Sequence, residues 1–208
     1  MSEEPSSAVR ALFQVGFAPV ARYAELLQEF GEERGLIGPR EVDRIWSRHI
    51  VNCAALLPFL PSSGTVMDVG SGGGLPGIVV ACARPDLDFV LVESMEKRCA
   101  WLDEVRTELD LDNVQIICGR AEELKGKLKV DAVTARAVAN LAKLIRLTSK
   151  LIKPNGRLLA LKGRRAYEEV EDAAYELRRH HLWTEVHEVT SVVDGETTFV
   201  VECGRTLS

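Results

Sequence analysis

The sequence predicts a doubly wound α/β fold: a mostly parallel sheet with an antiparallel C-terminal hairpin and a small helical N-terminal extension. Three observations predict it. From residue 65 onward, short apolar runs of strand length alternate with stretches of helical spacing, as in a parallel sheet covered on both faces. A glycine-rich loop, Asp68-Val-Gly-Ser-Gly-Gly-Gly-Leu-Pro-Gly77, joins the first such run to the first helix of the repeat. The last two strand-like runs are separated only by Asp194-Gly195-Glu196, too short for a crossover, so they must pair antiparallel.

The elements follow in order. Ala18 to Phe30 carries apolar residues at helical spacing and ends at Gly31. Gly38-Pro39 opens a second helix through Ile45, Trp46, Ile50 and Leu57, closed by Pro58 and Pro61. Residues 1–62 are thus a helical extension, and residues 63–208 form the main domain. Strands are expected at Thr65–Val69, Asp88–Glu93, Val114–Cys118, Val130–Thr134 and Arg157–Lys162. Helices are expected at Pro76–Ala83, Met95–Leu109, Ala139–Ile152 and Tyr167–Arg179, with Pro154-Asn155-Gly156 stopping the third. Thr184–Val193 and Thr197–Cys203 form the hairpin.

Composition narrows the class. The 208 residues suit one core with a small appendage. The start, MSEEPSSAVR, lacks a secretory layout, and no apolar run reaches membrane-span length, so a cytoplasmic protein without membrane attachment is expected. The five cysteines are scattered and odd in number, which predicts small buried hydrophobes, no disulfide framework and no metal site. The net charge of −5 conceals a division: residues 1–118 carry −8, residues 119–166 carry +10, and residues 167–208 carry −7. A strongly basic middle third can steer a polyanion even on an acidic chain.

The glycine loop lies where open α/β sheets bind ligands, at the carboxyl end of the first strand. Gly72 to Gly77 also fits G-x-G-x-x-G, so a dinucleotide remains an alternative. Asp68, two residues before the first glycine, suits a cationic aminoacyl group better than a pyrophosphate. Glu93, at the end of the second strand, is placed to take both hydroxyls of a ribose. With the hairpin, this layout is that of a class I, Rossmann-like methyltransferase that uses S-adenosylmethionine. The end of the third strand, Gly119-Arg120-Ala121-Glu122, would wall the adenine. The fourth strand ends in Thr134-Ala135-Arg136-Ala137, facing the reactive methyl. It has neither the Asn/Asp-Pro-Pro-aromatic segment of amine methylation nor the cysteine of pyrimidine C5 methylation. A purine ring nitrogen loses no proton on attack and needs no base, so positioning and charge placement suffice. Arg136 is the catalytic candidate, in contact with cofactor or phosphate. Lys162, Arg164 and Arg165 follow the fifth strand as phosphate contacts, and His49, with Asn52, is a further candidate from the second helix.

Taken in order, Glu33-Arg-Gly-Leu-Ile37, Trp46-Ser-Arg-His-Ile50, the glycine loop, Glu93-Ser94, Gly119-Arg-Ala-Glu-Glu123, Thr134-Ala-Arg-Ala137 and Ala160-Leu-Lys-Gly163 resemble the bacterial 16S ribosomal RNA guanine-N7 methyltransferases, the glucose-inhibited division protein B family. The resemblance spans nearly the whole chain. It implies methyl transfer from S-adenosylmethionine to N7 of a guanosine in the 530 loop of 16S RNA. It further implies cofactor contacts at Gly70, Leu75, Ala121, Glu122 and Arg136, and an RNA-facing cleft with Arg120 and Lys162; Gly72 of the loop and Glu93-Ser94 at the end of the second strand are cofactor candidates beside them. The partner would be the RNA itself or an assembling small subunit, with no obligate protein partner. Asn52-Cys53 departs from the acid and small polar residue of many relatives. Two other readings stay open: a small-molecule methyltransferase, whose binding would depend little on salt, and a non-catalytic nucleotide-binding protein, which calorimetry with NAD and S-adenosylmethionine would expose.

Overall fold

The computed structural model describes residues 3–191 and 195–206. Seven strands form one sheet: β1 Thr65–Val69, β2 Asp88–Glu93, β3 Val114–Cys118, β4 Val130–Arg136, β5 Ile152–Lys162, β6 Leu182–Thr190 and β7 Thr197–Arg205. Their spatial order is β3-β2-β1-β4-β5-β7-β6. The first five are parallel, while β7 pairs antiparallel with both β5 and β6. The chain reverses direction across the sheet at β1, so the crevice between the tips of β1 and β4 is a topological switch point. The expected hairpin forms, but Val192, Val193 and Asp194 of its expected strand and turn lie outside the described residues.

The helices are α1 Ser7–Phe13, α2 Phe17–Phe30, α3 Asn52–Ala54, α4 Gly77–Ala83, α5 Glu96–Glu108, α6 Leu141–Thr148, α7 Ala166–Asp172 and α8 Ala174–Arg179. Two apolar clusters sandwich the sheet. One joins Val9, Phe13, Val20, Tyr23 and Leu27 of the first two helices to Val66, Ile78, Leu91 and Trp101. The other packs Leu141, Leu144 and Ile145 of α6 on Val133, Leu158 and Val201. Residues 1–62 therefore share their core with the sheet.

Several details depart from expectation. The second helix is a π-helical run, Trp46–Val51, leading into α3. A wide turn of this kind re-aims side chains, and such turns occur at functional sites. The helix expected at Tyr167–Arg179 breaks into α7 and α8 at the fully buried Ala173. β5 begins at Ile152, five residues before the expected start, because Val130 pairs with Ile152 and Ala132 with Arg157. Residues 153–156 are extra to the ladder, so Pro154 sits in an irregularity where its missing N–H costs no bond. The cysteine expectation is corrected at one pair: Cys99 of α5 and Cys118 of β3 form a disulfide, with Cα atoms 5.7 Å apart. Residues 19 apart in sequence meet because α5 folds back along β3, a long-range contact that spacing alone does not encode. Cys53, Cys82 and Cys203 are free and buried, as expected.

Candidate functional site

The loop after β1 holds its shape through glycine. Gly70, Gly72 and Gly74 have φ of +69°, +57° and +107°. A Cβ on Gly72 would meet nothing nearer than 3.9 Å, so bare backbone lines a shallow cradle there. The Gly70 and Ser71 amides donate to the Val92 carbonyl, tying the loop to the tip of β2. The Gly73 carbonyl accepts two buried bonds, from Tyr23 Oη and Trp101 Nε1, each 2.8 Å. Tyr23 of α2 thus grips the glycine loop, a role that apolar spacing in α2 does not announce. Replacing Tyr23 by Phe removes one of these bonds while keeping the ring. We expect about 1 kcal/mol of lost stability and a several-fold weaker Kd for S-adenosylmethionine, read by denaturant titration and calorimetry.

Asp68 is fully buried. Its Oδ1 accepts from Thr134 Oγ1 at 2.9 Å and its Oδ2 from the Gly77 amide at 3.2 Å. It braces β1 against β4 and α4. Glu93 is also buried: Oε2 accepts from the Gly72 amide at 2.9 Å, and Oε1 from the Ser94 and Met95 amides at 2.7 and 2.9 Å. Its carboxylate sits at the mouth of the cradle with lone pairs to spare for a hydroxyl. Leu75 and Ala121 are buried, whereas Ser94, Arg120 and Glu122 are exposed. The Gly119 amide donates to the Glu93 carbonyl at 2.8 Å, so the tips of β2 and β3 are held together. The residues expected around the cofactor therefore converge on one edge. The cradle, a buried acid beside it and an apolar wall at Ala121 fit S-adenosylmethionine.

A cleft of about 1430 Å³ opens beside this edge, between the π-helical segment, the tips of β4 and β5, and the hairpin. Arg136 stands where the two meet. Its Nη2 donates to His49 Nδ1 at 2.8 Å and its Nη1 to Asn52 Oδ1 at 3.3 Å. Asn52 Nδ2 in turn donates to Thr198 Oγ1 of β7 at 2.9 Å. Because arginine only donates, His49 must accept through Nδ1 and carry its proton on Nε2. That Nε2 is buried without a hydrogen-bond partner, 3.7 Å from Glu41 Oε2. Burial, reinforced by Arg136 and opposed by Glu41, lowers the His49 pKa to about 4. The guanidinium thus has two neutral partners and no carboxylate within ion-pair distance among the described residues.

The basic residues after β5 divide. Lys162 Nζ turns inward to Glu169 Oε2 at 2.7 Å and the Ala139 carbonyl at 2.8 Å, pinning the β4–α6 loop. Arg165 pairs with Glu168 at 2.7 Å, and Arg164 is exposed along the cleft. Glu41, Tyr23, Trp101, Thr198 and Glu169 escaped the sequence reading. Each acts through a partner at least 28 positions away or through an ordinary surface acid, and no local pattern marks them.

The two buried titrating groups oppose one another. Burial raises Asp68 to about 6 against the hydrogen bonds it accepts. Its contribution is present below the ordinary carboxylate value and is lost as pH rises through 6. The depressed His49 contributes stability above its ordinary 6.5, lost as pH falls through 4. A wild-type curve alone would blur the two. We therefore expect the stability advantage of wild type over His49→Gln to shrink by roughly 3 kcal/mol between pH 6.5 and 4, measured by denaturant unfolding. A constant gap would refute the buried neutral imidazole.

Comparison with known proteins bears on the family and the fold. The family model described as rRNA small subunit methyltransferase G, GidB, matches residues 18–199. A protein of Beutenbergia cavernae named ribosomal RNA small subunit methyltransferase G is 59% identical over 196 residues, covering 94% of this chain and 92% of its own. A protein of the same name from Thermobifida fusca is 51% identical over 175 residues, covering 84% and 74%. Among solved structures, M. jannaschii TYW2 in complex with AdoMet superposes with a TM-score of 0.61 at 19% identity, covering 78% of each chain. The Geobacter metallireducens precorrin-6y C5,15-methyltransferase gives 0.58 at 16%, covering 82% and 90%; both likenesses speak for the fold. With its matching model and these relatives, the chain belongs to the rRNA small subunit methyltransferase G family.

Proposed function

We propose that this chain transfers a methyl group from S-adenosylmethionine to N7 of a guanosine in 16S ribosomal RNA, in the cytoplasm, on the RNA or an assembling small subunit. One observation carries the choice of atom: the groups around Arg136 are not built to take a proton. Its neighbours are an amide and an imidazole whose accepting nitrogen is already occupied. Guanine N7 attacks with an in-plane lone pair and sheds no proton, so this environment matches its need.

When bound, S-adenosylmethionine would supply the methyl as an electrophile for N7, with its sulfur as the leaving group. The chain's residues do the rest. The cradle at Gly70 and Gly72 and the carboxylate of Glu93 hold and orient, with Leu75, Ser94, Ala121 and Glu122 around the adenosine. Arg136 receives the carboxylate of the aminoacyl tail, where its charge meets no competing acid. His49 and Asn52 fix the guanidinium plane as positioning residues, and Thr198 fixes Asn52. Arg164 and Arg120 face RNA phosphates at the rim. Lys162 serves that rim through the loop it pins. Residues 1–62 act as an extension of the methyltransferase domain.

The test is primer extension after N7-specific cleavage of ribosomal RNA from cells with and without the gene. A cleavage stop that vanishes with the gene and returns with purified protein supports the proposal. An identical pattern in both refutes it.

A further inference from the structure

Much of the charge of the basic middle third lies outside the cleft, which Arg136, Lys162 and Arg164 line. Helix α6 buries Leu141, Leu144, Ile145 and Thr148 and turns Lys143 and Arg146 outward, with the exposed Lys150 just beyond its end. The loop from β3 to β4 runs beside it, fastened by Lys125 Nζ on the Arg146 carbonyl at 3.2 Å, and exposes Lys127 and Lys129. Nearby cations are already matched: Arg146 with Glu176 at 3.0 Å and Lys153 with Asp131 at 2.8 Å. Among the described residues, Lys127, Lys129, Lys143 and Lys150 have no carboxylate within ion-pair distance. Four unmatched lysines share one side of a chain whose net charge is −5.

We propose that this face, α6 with the β3–β4 loop, is a second RNA-docking surface that holds the phosphate backbone flanking the methylated nucleotide. The proposal rests on the RNA reading above and adds to it where the RNA runs. The face is continuous with the cleft, because Ala139 and Asn140, which lead into α6, line the cleft wall. From Leu141 to Thr148 the helical rise is about 10 Å, the length of about three base steps. Lysines suit this partner. They are long, mobile point charges that follow a backbone without reading bases, whereas planar recognition of a fixed carboxylate or phosphate favours arginine.

The experiment compares wild type with a variant carrying Lys→Gln at positions 127, 129, 143 and 150. None of these residues touches the cofactor edge. Thermal unfolding and the Kd for S-adenosylmethionine should match wild type. With full-length, protein-free 16S RNA, KM should rise about tenfold or more with kcat unchanged. The slope of log K against log salt should flatten by roughly 3, as expected for about four lost phosphate contacts. With an oligonucleotide holding only the target loop, the two proteins should have equal KM. An unchanged KM and salt slope on full-length RNA overturns the docking face alone. A defect seen only on protein-containing subunits overturns it in favour of a protein partner. Failure of wild type to methylate any RNA overturns the RNA reading, and the docking face with it.

Discussion

Arg136→Ala should weaken S-adenosylmethionine binding by about a hundredfold and lower kcat/KM at least as far. A hydrogen bond from a charged donor to a charged acceptor is worth roughly 1.5–3 kcal/mol, and nothing else at this corner replaces it. His49 and Asn52 hold the guanidinium plane from two sides, so the loss includes orientation as well as charge. Arg136→Lys keeps the charge but not the two-pronged geometry, and it should recover only part of the affinity. His49→Gln, which retains an acceptor, should lower kcat/KM less than His49→Ala. Calorimetry with the cofactor and steady-state kinetics with RNA separate the roles. A cofactor Kd that does not move, with RNA KM raised instead, would assign Arg136 to phosphate and refute its contact with the aminoacyl carboxylate.

Gly74→Ala should be the most damaging single change in the loop. At φ of +107° an L-residue lies outside the small left-handed basin, which costs of order 1–3 kcal/mol before any contact is counted. The new Cβ would also come within 2.7 Å of Ile78 Cγ1 and 2.8 Å of the Tyr23 hydroxyl. Both neighbours are fully buried, and Tyr23 is held by its bond to Gly73, so relief must disturb the loop itself. We expect at least 3 kcal/mol of destabilisation, a Tm lower by about 10 °C, and loss of measurable cofactor binding. Gly72→Ala is the control: its φ of +57° lies in the left-handed basin and its Cβ meets open space. It should fold nearly as well as wild type yet bind the cofactor poorly, because the methyl occupies the cradle. Equal Tm for wild type and Gly74→Ala would refute the argument from packing.

Much of this architecture was legible because it is local. β1, β2 and β3 follow from apolar runs bounded by turn residues, and their limits agree with the sequence reading residue for residue. The glycine loop announced itself because a tight turn and an open cradle demand a residue type, not merely a pattern. The expected cofactor residues and Arg136 fell together because strand tips in a parallel sheet share one edge. What stayed hidden depends on distant partners. The inward turn of Lys162 needs Glu169 and the Ala139 carbonyl to be in place. The break at Ala173 answers to packing under the sheet rather than to any helix-stopping residue. The π-helical widening at Trp46–Val51 leaves no mark in apolar spacing, yet it delivers His49 and Asn52 to the same arginine. Cys99 and Cys118 look unrelated until α5 lies along β3.

The double clasp on the Gly73 carbonyl has a bearing on how the molecule is made. Tyr23 leaves the ribosome 50 residues before its acceptor, and Trp101 arrives 28 residues after it. Until then the oily flank of the first helices lies uncovered, its natural cover still untranslated. Nascent chains arrested before position 101 should therefore be sticky and unable to retain the methyl donor. Retention of the donor should appear only after β3 and β4 have also followed, because their tips complete the edge that the clasped loop begins.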